Sequence, residues 1–379
     1  MLLVVDYLIA LFFAMLAENT SYESQKRKFG LLSLVTLCIT SAFRYYNIEG
    51  FDYNIYEGWY TYIPKLTEIN SNSLQSLSYE SGYFYLMSLC RTIGISFYGF
   101  CVITASFFYF ALWHGFKKYT KHYGLLTLIF AYKLLFYDTH ISMRQPITIA
   151  GFFLIMHYIE EKKWMRYYFF TLLLTRFHNG AYLLLFLYPM ANTCITKKKF
   201  LILNLVFLPT LLVSFTGINV LGPIGTFIAD NADTDMARVK ANKYFDASSQ
   251  QEISLFYTIE YFFLSFMVYK YYNKLKMELQ DRQLMVKLFL CLLPLFTLFR
   301  GSEILTREKD YFTLVYAVLI GYILDLKIST SSKTMIKFFF VLLCIYGYFR
   351  LLFGFNGDML YQEYRMWPFV QKCSFFVSL

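Results

Sequence analysis

The sequence predicts an all-α, polytopic membrane protein with about 12–13 membrane helices. Two observations carry that fold class. Of 379 residues, 58% are hydrophobic and only 16% charged, against roughly 45–50% and roughly 25% in a soluble domain. The apolar residues also run together: residues 31–43 follow the basic cluster Lys26-Arg27-Lys28, and 338–353 follow Lys333 and Lys337. With its flanks, each run approaches the roughly 20 residues that cross a bilayer.

Hydropathy and loop charge place the spans at about 2–17, 29–45, 81–94, 97–116, 124–138, 145–160, 164–176, 178–191, 199–217, 253–272, 284–300, 308–325 and 335–353. The first carries Asp6 and no basic residue, which reads as a membrane helix and not a cleaved signal peptide. The second ends on Arg44. Segment 46–80 then holds Glu49, Asp52, Glu57, Glu68 and Glu80 against a single Lys65, which suits a non-cytoplasmic loop. Span 81–94 is short and contains Arg91. If it crossed fully, Lys117 and Lys118 would fall on the wrong side under the positive-inside rule. The reading is therefore a re-entrant segment beside a cavity, with an extra crossing by the amphipathic stretch 51–66 as the alternative. Pro146 suits the first turn of the helix that opens at 145.

Lysines and arginines cluster at 26–28, 117–121, 162–166, 197–199, 270–282 and 327–337, which read as cytoplasmic loops. The opposite face then receives 46–80, 138–144, the turn at His178, the 218–252 loop, 301–307 and the C-terminal tail. The whole chain, 1–379, reads as one polytopic domain. Its net charge of +10 sets topology and does not indicate nucleic-acid binding. The seven cysteines are too widely spaced for a redox or zinc motif and read as core residues.

Ionisable residues at the ends of spans are the functional candidates. Arg44, Asp52, Arg144, Arg176, His178, Arg300 and Arg307 all fall on the non-cytoplasmic face, against the usual bias. Arginine presents a planar, permanently charged fork suited to phosphate oxygens, so the five arginines are expected to bind a pyrophosphate. The plainer reading of Arg44 is snorkelling to the interface. For Arg144 the neighbouring helix N-terminus favours an anion, and Arg176 is an equally good structural partner for His178. One of Arg300 and Arg307 is expected to pair with Glu303 or Glu308. His178 is the leading acid/base candidate, with Asp52 and Glu80 as carboxylate alternatives. The ring-rich stretch around Tyr53, Tyr56 and Trp59 reads first as an interfacial aromatic belt and second as a saccharide surface. There is no phosphate-binding glycine loop and no paired histidine motif, and no metal site is expected.

Several short motifs together resemble a known family. Phe43-Arg44 followed by Gly50-Phe51-Asp52-Tyr53 and Tyr56 is similar to a signature of the EpsG-like, Wzy-type O-antigen and exopolysaccharide polymerases. So are Glu80-Ser81-Gly82-Tyr83, Ser142-Met143-Arg144-Gln145, Phe177-His178-Asn179-Gly180-Ala181, and Arg307 with Tyr311-Phe312. The Arg44-to-Gly50 gap, Gly180 in place of a serine, and Pro146 depart from the pattern. The resemblance implies a metal-independent glycosyltransferase of GT-C type, without a cofactor, in the bacterial inner membrane. It implies undecaprenyl-pyrophosphate-linked oligosaccharides as substrates and joining of repeat units at the periplasmic face. Membrane lipids and a chain-length regulator are the other partners implied. A lipid-linked oligosaccharide flippase or an O-antigen ligase is the alternative.

Overall fold

The structure, a computed structural model, describes residues 1–46, 52–70, 80–216, 222–231, 238, 255–279, 283–299, 306–354, 364–370 and 374–376. Arg300, parts of the 46–80 loop and most of the 218–252 loop lie outside the described residues. The described chain is almost entirely helical, and three helices are long and apolar enough to cross a membrane. This is an all-α membrane protein. Within the single polytopic domain expected, residues group into two compact units, 1–191 with 328–379, and 192–327.

The first unit begins with helices α1 (Leu2–Asn19), α2 (Glu23–Ala42), α3 (Asp52–Tyr62), α4 (Ser81–Thr92), α5 (Phe97–Phe116) and α6 (Tyr123–Lys133). A π-helical turn, Leu135–Ile141, leads into α7 (Arg144–Ile155), α8 (His157–Glu160) and α9 (Trp164–Leu174). The central layer is α2 packed on α1, α5 and α6. Without a hydrophobic force between helices in lipid, small residues and polar bridges hold such a bundle. Both are present. Ser33 Oγ donates to Ala10 O at 2.7 Å, and Thr40 Oγ1 donates to Asp6 Oδ2 at 2.6 Å. Gly124 lies so close to α1 that a Cβ there would stand 2.1 Å from Ala14 O.

The expected span 178–191 is instead two stretches of 3₁₀ helix, Asn179–Phe186 and Tyr188–Asn192. Asn179, Gly180 and Pro189 supply turn chemistry at their starts. Helix α4 has twelve residues, about 18 Å of rise against a hydrocarbon core about 30 Å thick. Arg91 of this helix has a local role. Its Nη1 donates to Thr61 O at 2.6 Å and to Ile63 O, closing the open carbonyls at the end of α3.

Helix α16 (Thr330–Phe353) returns to this unit and packs on α6. Beyond it, strand β2 (Arg365–Met366) pairs antiparallel with β1 (Arg44–Tyr45), and Trp367 N–H donates to Phe43 O at 2.9 Å. The C-terminal segment thus straps the junction between α2 and α3.

The second unit holds α10 (Lys197–Phe215), α11 (Gly222–Asp230), α12 (Leu255–Leu279), α13 (Leu284–Phe296), α14 (Asp310–Thr313) and α15 (Val315–Asp325). Helix α15 packs on α12 and α13, and Asn204 of α10 accepts from Ser265 of α12 at 2.9 Å.

Candidate functional site

Helix α7 opens with Arg144 at its first residue, where the backbone N–H groups are unpaired and the dipole is positive. A cation is out of place there unless something answers it. The Arg144 Nη1 donates to Glu80 Oε2 at 2.6 Å, with the two side chains 23% and 12% exposed. Aromatic rings supply the rest: the guanidinium lies 5.4 Å from the Trp59 ring centroid and 6.0 Å from that of Tyr56. Burial works against the charge, and Tyr56 and Glu80 overcome that penalty and hold Arg144 firmly protonated. A guanidinium gripped at one nitrogen and backed by ring faces is aimed and stiff, as recognition of a phosphate oxygen requires.

Glu80 occupies the position before α4 but does not cap its own helix. Its second oxygen, Oε1, accepts the N–H of Asn179 at 3.1 Å. One carboxylate therefore ties the start of α7 to the His178 turn. Gly82 makes the same junction from the backbone: its N–H donates to Arg176 O at 2.7 Å, and a Cβ at Gly82 would stand 2.7 Å from that oxygen. The glycine of the Glu80-Ser81-Gly82 motif is there because no side chain fits. Three separate motifs, around residues 80, 144 and 178, converge through this carboxylate.

His178 precedes the first 3₁₀ helix, and its Nδ1 accepts the N–H of Gly180 at 3.0 Å. A ring nitrogen that accepts cannot carry the proton, so the neutral imidazole bears it on Nε2. With Nδ1 engaged by the backbone, any acid/base or donor role of His178 falls to Nε2. Both oxygens of Glu80 accept from donors, Arg144 Nη1 and Asn179 N–H. Asp52 stands half-buried at the first residue of α3. It precedes Tyr56 by four residues and Trp59 by seven, and so shares the helix face that meets Arg144.

Other candidates are placed elsewhere. Arg44 is 2% exposed, its Nη1 donating to Ser41 O at 2.6 Å while Tyr53 Oη donates to Arg44 O at 3.1 Å. Neither snorkelling nor surface phosphate binding describes it; it is a buried strut beneath the strap. Tyr53 is fully buried, edge-on to Tyr46 and Phe97 at 5.7 and 5.1 Å, which removes it from any saccharide surface. Tyr56 is nearly buried and Trp59 half-buried. Arg176 is exposed and contributes its carbonyl to the junction. Arg300 lies outside the described residues, and Arg307 belongs to the second unit, half-buried next to Glu308.

Sequence reasoning passed over His140, which it left in a connection. In the structure its Nδ1 lies 2.7 Å from Tyr46 Oη and its Nε2 3.4 Å from Ser41 Oγ, which also meets Tyr109 and Thr139 at 2.9 Å. Burial, aided by the nearby Arg44 guanidinium, holds this imidazole neutral, well below the usual histidine range. The available signal was Arg44-Tyr45-Tyr46, a charged and ring-rich exit from an apolar span. Among the described residues, no three His, Cys, Asp or Glu side chains gather as metal ligands would.

Against known proteins, the model of the EpsG family matches residues 27–368. No curated protein and no solved structure matches the chain.

Proposed function

The chain belongs to the EpsG family, and from that premise we propose that it polymerises a surface polysaccharide, as an O-antigen-type polymerase of the bacterial inner membrane. In this reading it is a GT-C-type glycosyltransferase working at the periplasmic face. A growing glycan on undecaprenyl pyrophosphate is transferred to the non-reducing end of a new lipid-linked unit, and undecaprenyl pyrophosphate leaves. The observation that carries the reading is Arg144, held by Glu80 over two aromatic rings at a helix N-terminus, with the His178 turn on the same carboxylate.

Inverting transfer needs charge stabilisation at the departing pyrophosphate and a base for the acceptor hydroxyl. Arg144 supplies the first, and His178, with its proton on Nε2, adds a second donor to the same anion. Asp52 takes the base role, on the α3 face that also presents Trp59 for stacking against sugar. Arg176 is a further phosphate ligand in this proposal. The short helix α4 is the re-entrant segment, beside a cavity that opens to the periplasm. No divalent metal is needed, because the arginines neutralise the leaving group.

The test is glycan analysis of a strain lacking this chain and complemented with variants at matched membrane abundance. Single repeat units on the acceptor, without polymer, are expected from the deletion; loss of all surface repeat units would indicate a flippase instead. Arg144→Ala and Asp52→Asn are expected to abolish polymer, and Arg144→Lys to rescue poorly because a point charge lacks the fork. His178→Gln, which keeps an acceptor and a donor, is expected to retain part of the activity. Full-length polymer from Arg144→Lys would refute the fork. Full activity in Asp52→Asn, with none in His178→Gln, would return the base to the histidine.

A further inference from the structure

An open cavity of about 330 Å³ lies between α2 and α5, lined by Leu31, Val35, Cys38, Ser106, Phe110 and His114 among others. It sits away from the Arg144 cluster. That cluster reaches α5 through Tyr56, Tyr83 and Phe100, near the start of the helix, whereas His114 is about 21 Å of helix rise further along.

The two walls are antiparallel: Ser41 Oγ meets Tyr109 Oη at 2.9 Å toward one end, while Gly30 abuts Tyr123, whose ring packs on Trp113 at 5.0 Å, toward the other. Leu31 to Cys38 is about 10 Å of rise, a third of the roughly 30 Å hydrocarbon core. The rim is apolar and open, with Leu31 and Val35 each 43% exposed and Phe110 52% exposed. Helical spacing then extends each wall to a lysine. Lys28 lies three residues before Leu31, and Lys117 three beyond His114, so each continues its own stripe. Both are exposed. Glu23, the carboxylate of the first turn of α2, is engaged by Arg27 at 3.3 Å and by Tyr123 at 3.2 Å. The charge at this mouth is therefore positive and the slot below it is oily. Trp113, which also lines the cavity, adds a ring of the kind that settles at the headgroup level.

We infer that this groove binds one anionic phospholipid of the leaflet at its basic end, an acyl chain between α2 and α5 and the phosphate between Lys28 and Lys117. The occupant is a bulk membrane lipid and not the reacting carrier lipid, because the groove and the Arg144 cluster lie toward opposite ends of α5. The assignment does not depend on the proposed reaction.

Native mass spectrometry of the full chain in detergent, titrated with phosphatidylglycerol or with phosphatidylcholine of the same chains, tests it. Retention of phosphatidylglycerol over phosphatidylcholine is expected. Lys28→Ala with Lys117→Ala should weaken it about thirtyfold, Val35→Trp should fill the slot and abolish it, and Arg144→Ala should leave it unchanged. The lysine pair is exposed, so that variant stays informative even if Val35→Trp misfolds. Equal retention of the two lipids, or retention indifferent to the lysine pair, would overturn the inference. So would preferential retention of undecaprenyl phosphate, which would make the groove a carrier-lipid site, or loss in Arg144→Ala alone.

Discussion

Replacing Glu80 by alanine removes a side chain that joins the start of α7 to the His178 turn. Two losses add. The first is the 2.6 Å charge-assisted bond from Arg144, of a class worth about 1.5–3 kcal/mol. With side chains 23% and 12% exposed, the pair stands between a buried bridge, about 3–5 kcal/mol when broken, and a surface one at about 0–1 kcal/mol. About 2 kcal/mol is the expected coupling between the partners. The second loss is the acceptor for Asn179 N–H, about 1 kcal/mol more. The assay is a double-mutant cycle of Glu80→Ala and Arg144→Ala, unfolded with SDS in mixed micelles and followed by tryptophan fluorescence. The double variant should be about 2 kcal/mol more stable than the sum of the singles implies. Glu80→Gln keeps an acceptor for Asn179 and should lie between wild type and Glu80→Ala. Its polymer output should nonetheless fall at least about tenfold, since an unanchored guanidinium loses its aim. Additive singles, within about 0.5 kcal/mol, would refute the bridge and with it the argument that Glu80 positions Arg144.

Gly82→Ala should destabilise the protein by about 1–3 kcal/mol, because its Cβ would meet Arg176 O at 2.7 Å; wild-type stability in the same SDS titration would show that the junction yields freely. The contribution of His140 to stability should fall with acid. His140 is held neutral in the fold, so the unfolded chain takes up a proton first, and stability present above about pH 6.5 is lost below it, by about 1.4 kcal/mol per pH unit until the folded imidazole titrates. His140→Gln should flatten that slope between pH 6.5 and 5; an unchanged slope would place the titrating group elsewhere. Polymerisation by purified protein should survive excess EDTA. Asp233-Thr234-Asp235, outside the described residues, has the spacing of an acidic metal-binding pair, so Asp233→Asn with Asp235→Asn belongs in that assay, and EDTA inhibition reversed by Mg²⁺ or Mn²⁺ would reject the metal-free proposal.

The apolar runs and their helical period were enough to read an all-α membrane protein from the chain. Residues 97–116 and 284–296 show why: burial of a continuous apolar segment is decided by that segment's own composition. The motifs around Glu80, Arg144 and His178 were legible in the same way, as charged or turn-forming residues where lipid would not admit them without a reason. Their partnerships were not legible. Glu80 and Arg144 are 64 residues apart, and nothing local tells a carboxylate whether it will act as a base or anchor an arginine. His178 Nδ1 is engaged by Gly180 N–H, a backbone group whose direction depends on a 3₁₀ turn where an ordinary helix was expected. Arg44 and Tyr53 looked like surface residues because they follow a span. The C-terminal strap, more than 300 residues later, covers them, and only long-range packing decides what returns to cover a helix end.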